Sequence, residues 1–96
     1  MKLTVRGIIG DFERAHRVNK KLRVTFTYNG KKYVREFGDN RYQHYEDKTG
    51  IHKELDHLDK NRRRLWRARM EKIKYLDTIA YNNPLSPLFW SYYVLW

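Results

Sequence analysis

A dense run of cationic side chains at positions 60–74 is the feature of this sequence with the clearest chemistry. Eight of these residues are Lys or Arg and only Glu71 is acidic, so the stretch has a net charge of +7. Cations spaced along a helix neutralise successive phosphates and release their counterions. The run therefore predicts a phosphate-binding surface, to which we add the nearby Arg41. Its residues are Lys60, Arg62, Arg63, Arg64, Arg67, Lys74 and Arg41.

A solvated helix face is the alternative interpretation of these cations. They would then pair with acids from another part of the chain, namely Glu46, Asp47, Glu54 and Asp56. Eight cations against one local acid are too unequal for pairing within the stretch itself. The whole chain shows the same excess, with 21 Lys plus Arg, 11 Asp plus Glu and a net charge of +10. Such a charge attracts polyanions but selects no base sequence.

Aromatic side chains beside Arg41 suggest a second kind of contact. Tyr42 and Tyr45 could stack on unpaired bases together with the Arg41 guanidinium, as aromatic platforms do in proteins that bind single strands. Packing in the core is the favoured alternative, because this short chain has few other large apolar residues.

The C-terminal segment 86–96 also allows two interpretations. Its possible anchors for docking on another protein are Phe89, Trp90, Leu95 and Trp96. The favoured alternative is that the segment closes the hydrophobic core, since a hairpin and one helix leave a face uncovered.

Catalytic and metal-binding patterns are weak. His52 and His57 are five positions apart, not the three or four that place two ligands on one helix face, although Asp56 and Asp59 lie beside them. Helix capping and local hydrogen bonding explain His57 and Asp59 better. The chain has no cysteine, no Gly-rich phosphate loop and no nucleophile elbow. We therefore expect a binding protein and not an enzyme, with no metal and no cofactor.

Two strand patterns indicate the sheet that must support these side chains. Apolar and polar residues alternate before and after Asn29-Gly30, a pair typical of a type I′ turn, which predicts a hairpin over 22–37. Residues 3–9 alternate weakly and could form another strand, which Gly10-Asp11 would end, with a loop over 12–19.

The remaining elements are predicted to be helical. A short helix is expected at 51–57, and Asp59 is a suitable N-cap for the basic helix at about 60–74. Its buried stripe would contain Leu65 or Trp66, Ala68 or Met70, and Ile73, with Arg63, Arg64, Arg67 and Lys74 pointing away. Ser86 and Pro87 suit the start of a C-terminal aromatic segment, which is expected to be a short helix or an extended stretch packed on the core.

Together these elements predict a single domain over 1–96 of the α+β class. A small antiparallel sheet with a central hairpin would pack against one or two helices and the C-terminal aromatic segment. The absence of cysteine favours the cytosol, and no apolar run is long enough for a membrane span. An unpaired sheet edge would also permit a homo-oligomer.

Several ordered motifs carry a resemblance to a known family. They are Glu36-Phe37-Gly38-Asp39, Arg41-Tyr42-Gln43-His44-Tyr45-Glu46-Asp47, His57-Leu58-Asp59-Lys60-Asn61-Arg62-Arg63, Arg67-Ala68-Arg69 and Pro87-Leu88-Phe89-Trp90-Ser91-Tyr92-Tyr93-Val94-Leu95-Trp96. In these motifs the stretch 37–96 resembles small, basic, uncharacterised proteins of large DNA viruses, namely contractile-tailed phages including cyanophages, and algal and giant viruses. The resemblance implies a viral source and a place in the host-cell cytoplasm or the virion. Members often have His where this chain has Met70.

The favoured function is sequence-independent binding of DNA or RNA during infection, with the basic helix contacting phosphates. One alternative is a minor capsid or head protein that bridges larger viral subunits. Another is a host-takeover factor that docks on an acidic host protein through its C-terminal segment.

Overall fold

The computed structural model describes all 96 residues and places a four-stranded antiparallel sheet in the first part of the chain. Its strands lie side by side in chain order: β1 Lys2–Val5, β2 Ile8–Arg14, β3 Lys20–Tyr28 and β4 Lys31–Asp39. The second part contains helix α1 Lys60–Met70, the short pair β5 Lys74–Tyr75 and β6 Thr78–Ile79, and helix α2 Pro87–Trp90. The predicted α+β class is confirmed.

Two tight turns set the register of the sheet. Asn29 and Gly30 have φ of 52° and 78°, and Tyr28 pairs with Lys31 across them, so the predicted hairpin is confirmed and extends two residues further at each end. Arg6 and Gly7 also have positive φ and join β1 to β2. The predicted break at Gly10-Asp11 is therefore wrong, and so is a loop that begins at residue 12.

Gly10 lies inside β2 because of packing. It pairs with Leu3 on one side and Phe26 on the other. A Cβ atom at this position would stand 2.8 Å from the Val24 side chain and 2.9 Å from that of Phe12. Glycine inside a strand often marks such a close approach.

The core lies between one face of the sheet and the C-terminal segment. Ser86 caps α2 with its hydroxyl, which accepts a hydrogen bond from the Leu88 N–H, and a π-helical turn Ser91–Leu95 continues the chain. Trp90 is fully buried, with its ring centroid 4.8 Å from that of Phe26 and 5.8 Å from that of Phe12. Its indole N–H donates to the Pro84 carbonyl. The segment thus closes the core over the sheet.

Helix α1 lies on the surface, because none of its residues is buried. Asp59 is its N-cap, as predicted, and accepts hydrogen bonds from the N–H groups of Asn61 and Arg62. The helix ends at Met70 and not near 74, since the Ala80 N–H pairs with the Ile73 carbonyl and the chain then forms the β5–β6 pair. No helix of the protein has the length and apolar character needed to cross a bilayer.

Candidate nucleic-acid interface

The cations of α1 have no Asp or Glu partner. The helix holds Lys60, Arg62, Arg63, Arg64, Arg67 and Arg69 and no Asp or Glu, and none of these cations lies within 4.0 Å of an Asp or Glu carboxylate. The Asp47 carboxylate accepts hydrogen bonds from Thr49 and His52, and the Asp56 carboxylate contacts His44. Pairing of the helix with these acids is therefore absent, and its positive charge is not compensated locally.

Four of the six side chains extend into solvent. Lys60, Arg62, Arg64 and Arg69 are exposed. Arg62 donates to the Gln43 amide oxygen at 3.1 Å, and Arg64 donates to the Asn61 amide oxygen at 2.9 Å. Both partners are neutral, so the two guanidinium groups keep their full charge and further N–H donors.

Arg63 and Arg67 instead pack against the C-terminal segment, which corrects the prediction that they point away. Arg63 lies 4.6 Å above the centroid of the Tyr45 ring and donates to the main-chain oxygen of Trp96. Arg67 lies 4.7 Å above the Tyr92 ring. The helix turns this side inward because Trp66 stacks on Trp96 at 4.6 Å.

The apolar stripe predicted for α1 is only partly correct. Trp66 and Met70 are half-buried, whereas Leu65 is 51% exposed and Ile73, beyond the end of the helix, is 45% exposed. Lys74 is exposed but belongs to β5, so it does not extend the row of cations on α1.

Cations crowd together where α1 meets the C-terminal segment. Lys48 donates to the Tyr93 carbonyl at 2.6 Å, and its pKa is lowered by burial and by the charges of Arg67 and Arg63. The Arg67 Nε–H is buried without an acceptor. A depression of about 430 Å³ opens beside them, lined by Lys60, Arg63, Arg64, Arg67, Ala68, Glu71 and Tyr92.

The one acid in this depression is already engaged. The Tyr92 hydroxyl donates to a Glu71 carboxylate oxygen at 2.5 Å. Burial and this hydrogen bond raise the pKa of Tyr92 to about 12. The remaining wall of the depression is cationic and suited to an anion.

A second groove lies on the other side of α1, between the helix and the segment 39–43. Its volume is about 460 Å³. It combines several cations and one acid, Asp39, with aromatic rings. Its lining residues are Lys20, Lys21, Gly38, Asp39, Tyr42, Gln43, Arg62, Trp66, Arg69, Ser91, Leu95 and Trp96.

Among the predicted stacking residues, only Tyr42 has an open ring. It is 64% exposed, whereas Tyr45 is half-buried beneath Arg63. Arg41 is exposed but forms a two-pronged ion pair with Asp39, at 3.0 and 2.7 Å. These hydrogen bonds lower the pKa of Asp39 to about 2. Arg41 is therefore less free to contact a phosphate than the cations of α1.

A buried polar chain of three side chains joins the sheet to the segment 44–56. The Lys21 ammonium lies 2.8 Å from His44 Nδ1, and His44 Nε2 lies 2.5 Å from an Asp56 carboxylate oxygen. Burial lowers the pKa of Lys21 to about 8, although Asp39, Asp47 and Asp56 act in the opposite direction. Burial and the Lys21 charge also lower the pKa of His44. Sequence patterns could not predict these contacts, because Lys21 and His44 are 23 residues apart and His44 and Asp56 are 12 residues apart.

The predicted helix at 51–57 is a single 3-10 turn, Lys53–Leu55, and the histidines around it have structural roles. The buried His52 donates from Nε2 to the Lys21 carbonyl at 2.8 Å. His57 Nδ1 accepts the Asp59 N–H at 2.9 Å, beside the helix cap. No three His, Asp or Glu side chains converge as metal ligands.

The four possible anchors of the C-terminal segment are mostly inaccessible. Phe89, Trp90 and Leu95 are at most 3% exposed, and the half-buried Trp96 stacks on Trp66. These positions support core closure over docking on a partner.

Comparison with known protein families, with curated proteins and with solved structures found no match to this chain. The viral setting stays a prediction of the resemblance, as do a place in the virion and a role on a host protein.

Proposed function

We propose that this protein binds DNA or RNA without catalysis and without selecting a base sequence, through the cations of α1. The observation that carries the proposal is the set of six cations on this surface helix, none of which pairs with an Asp or Glu side chain. Like charges this close repel one another, and the phosphates of a polyanion relieve that repulsion.

The density of charge along α1 suits a nucleic-acid strand. The eleven residues of the helix span about 16 Å at about 1.5 Å per residue. Along the axis of a DNA duplex each strand carries one phosphate every 3.4 Å or so, which places about five beside the helix. The four exposed cations of α1, Lys60, Arg62, Arg64 and Arg69, are therefore close in number to the phosphates within reach. Such contacts position a strand but carry no information on its bases.

The test must remove charge without disturbing packing, so Arg63 and Arg67 are unsuitable. Lys60, Arg64 and Arg69 are exposed, and only Arg64 makes a side-chain hydrogen bond, to Asn61. The test variant is Lys60→Glu/Arg64→Glu/Arg69→Glu. The matched control Lys2→Glu/Arg17→Glu/Lys32→Glu changes the net charge equally at exposed positions outside α1 whose side chains make no hydrogen bond or ion pair.

Fluorescence anisotropy with labelled DNA and RNA across a salt series measures the effect. Three lost phosphate contacts reduce the slope of log affinity against log salt by about 2 on a single strand. We expect the α1 variant to show this reduction and at least about tenfold weaker binding near physiological salt, and the control to stay close to wild type. Equal losses in both variants, with folding intact by circular dichroism, would show that only total charge matters and would refute the assignment to α1.

A further inference from the structure

The groove between α1 and the segment 39–43 has two kinds of wall that together suit a nucleotide. Arg62 and Arg69 line it from the helix, and Lys20 at the start of β3 lines it as well. The aromatic rings of Tyr42, Trp66 and Trp96 line it between these cations. A positive groove with aromatic rings is the combination by which proteins hold unpaired strands.

We infer that this groove takes an unpaired base, and that the protein therefore prefers single-stranded to double-stranded nucleic acid. The inference rests on the proposed function and names its substrate class. Within a duplex, each base face is covered by its neighbours, so a duplex offers α1 only its phosphates and groove edges. A single strand can present a base face to an aromatic ring without the cost of unpairing and unstacking a duplex.

Tyr42 is the residue that contacts the base. Its ring is 64% exposed, and the Arg41 guanidinium lies 5.6 Å from the ring centroid. Asp39 holds Arg41 in place by two hydrogen bonds. Because Arg41 is fixed in this way, the Tyr42 ring is steadied before a ligand arrives and loses little freedom on binding.

The opposite wall is rigid for a different reason. Trp66 and Trp96 stack with ring centroids 4.6 Å apart and an angle of 6° between the planes. Gly38 lines the groove and packs closely on Leu95, since a Cβ atom at Gly38 would stand 2.9 Å from Leu95 Cδ1. Gln43 lines the same groove and accepts a hydrogen bond from Arg62 through its amide oxygen. Its amide N–H₂ group makes no hydrogen bond within the protein and can donate to the edge of a base.

The experiment compares Tyr42→Ala with the conservative control Tyr42→Phe, using full-length protein and fluorescence anisotropy. Three labelled probes separate bases from phosphates: an oligothymidine of about 12 nucleotides, an abasic sugar-phosphate strand of the same length, and a DNA hairpin duplex with as many phosphates. Neither substitution affects a buried side chain.

We expect wild type to bind oligothymidine at least about tenfold more tightly than the abasic strand or the duplex. Tyr42→Ala should lose about tenfold for oligothymidine and stay within about twofold for the other two probes, while Tyr42→Phe keeps the preference. Equal wild-type affinity for all three probes, or unchanged oligothymidine affinity in Tyr42→Ala, would overturn the base site but leave phosphate binding by α1 intact. If no probe binds, the proposed function fails as well.

Discussion

Replacement of the buried Lys21 by Met should change how the stability of this protein depends on alkaline pH. Lys21 is 3% exposed, and its ammonium has one side-chain partner, His44 Nδ1. Burial lowers its pKa from the ordinary 10.5 to about 8. The folded protein therefore releases this proton near pH 8, whereas the unfolded chain keeps it until about pH 10.5.

The sign and size of the effect follow from proton linkage. Stability increases with pH wherever the unfolded chain binds more protons than the folded protein, which for Lys21 is the interval from about 8 to 10.5. A difference of one pH unit between the two pKa values is worth about 1.4 kcal/mol. Wild type should therefore gain up to about 3 kcal/mol relative to Lys21→Met over this interval, and the gain should level off above it.

Urea denaturation followed by far-ultraviolet circular dichroism at several pH values from about 7 to about 10.5 measures the difference. Tyrosines that ionise in this range affect wild type and variant alike, so the difference between them isolates Lys21. Lys20→Met is the control, because Lys20 is less buried and makes no side-chain hydrogen bond. The free energy of unfolding of Lys20→Met, plotted against pH, should run parallel to that of wild type. Parallel curves for wild type and Lys21→Met would refute the reasoning, since Lys21 would then titrate alike in both states.

Three further predictions concern stability, each measured by urea denaturation. Since burial and the Lys21 charge lower the pKa of His44 from 6.5, the unfolded chain takes up this proton first on acidification. Wild type should therefore lose more stability than His44→Gln as the pH falls below about 6.5. Glu36 is buried and accepts hydrogen bonds from two main-chain N–H groups and one guanidinium. Glu36→Gln should therefore lower the free energy of unfolding by about 1–3 kcal/mol. The control Glu13→Gln, at an exposed position, should lower it by less than about 0.5 kcal/mol. Trp90→Ala should lower the free energy of unfolding by about 3–5 kcal/mol, because the ring is completely buried among aromatic neighbours. A loss below about 1 kcal/mol would contradict the central place of Trp90 in the core.

The two turns of the sheet show what a local sequence pattern can and cannot predict. Asn29-Gly30 stands between two alternating runs, and both residues adopt positive φ, so the hairpin could be predicted from a few neighbouring residues. Arg6-Gly7 forms a similar turn, but Arg is an unusual first residue for it, and Gly10 was the more obvious candidate. Only the packing of Val24 and Phe12 against Gly10 shows that this glycine belongs inside a strand.

The orientation of α1 shows the same limit at the candidate site. Helical spacing predicted either Leu65 or Trp66 on the inner face and could not choose between them. The structure places Trp66 there, because the stack with Trp96 and the packing of Arg67 over the Tyr92 ring favour that rotation of the helix. The helix is also shorter than its pattern, since the Ile73 carbonyl pairs with Ala80.

The sequence by itself determined the features that depend on neighbouring residues. These include the hairpin at Asn29-Gly30, the Asp59 cap, the start of the C-terminal helix at Ser86 and the excess of cations near α1. Only the tertiary structure decided which cations are open and which lie on aromatic rings, that the groove beside Tyr42 exists, and that Lys21, His44 and Asp56 meet inside the protein. The physical reason is that turns and caps are stabilised within a few residues, whereas burial and pKa depend on side chains brought together from distant parts of the chain.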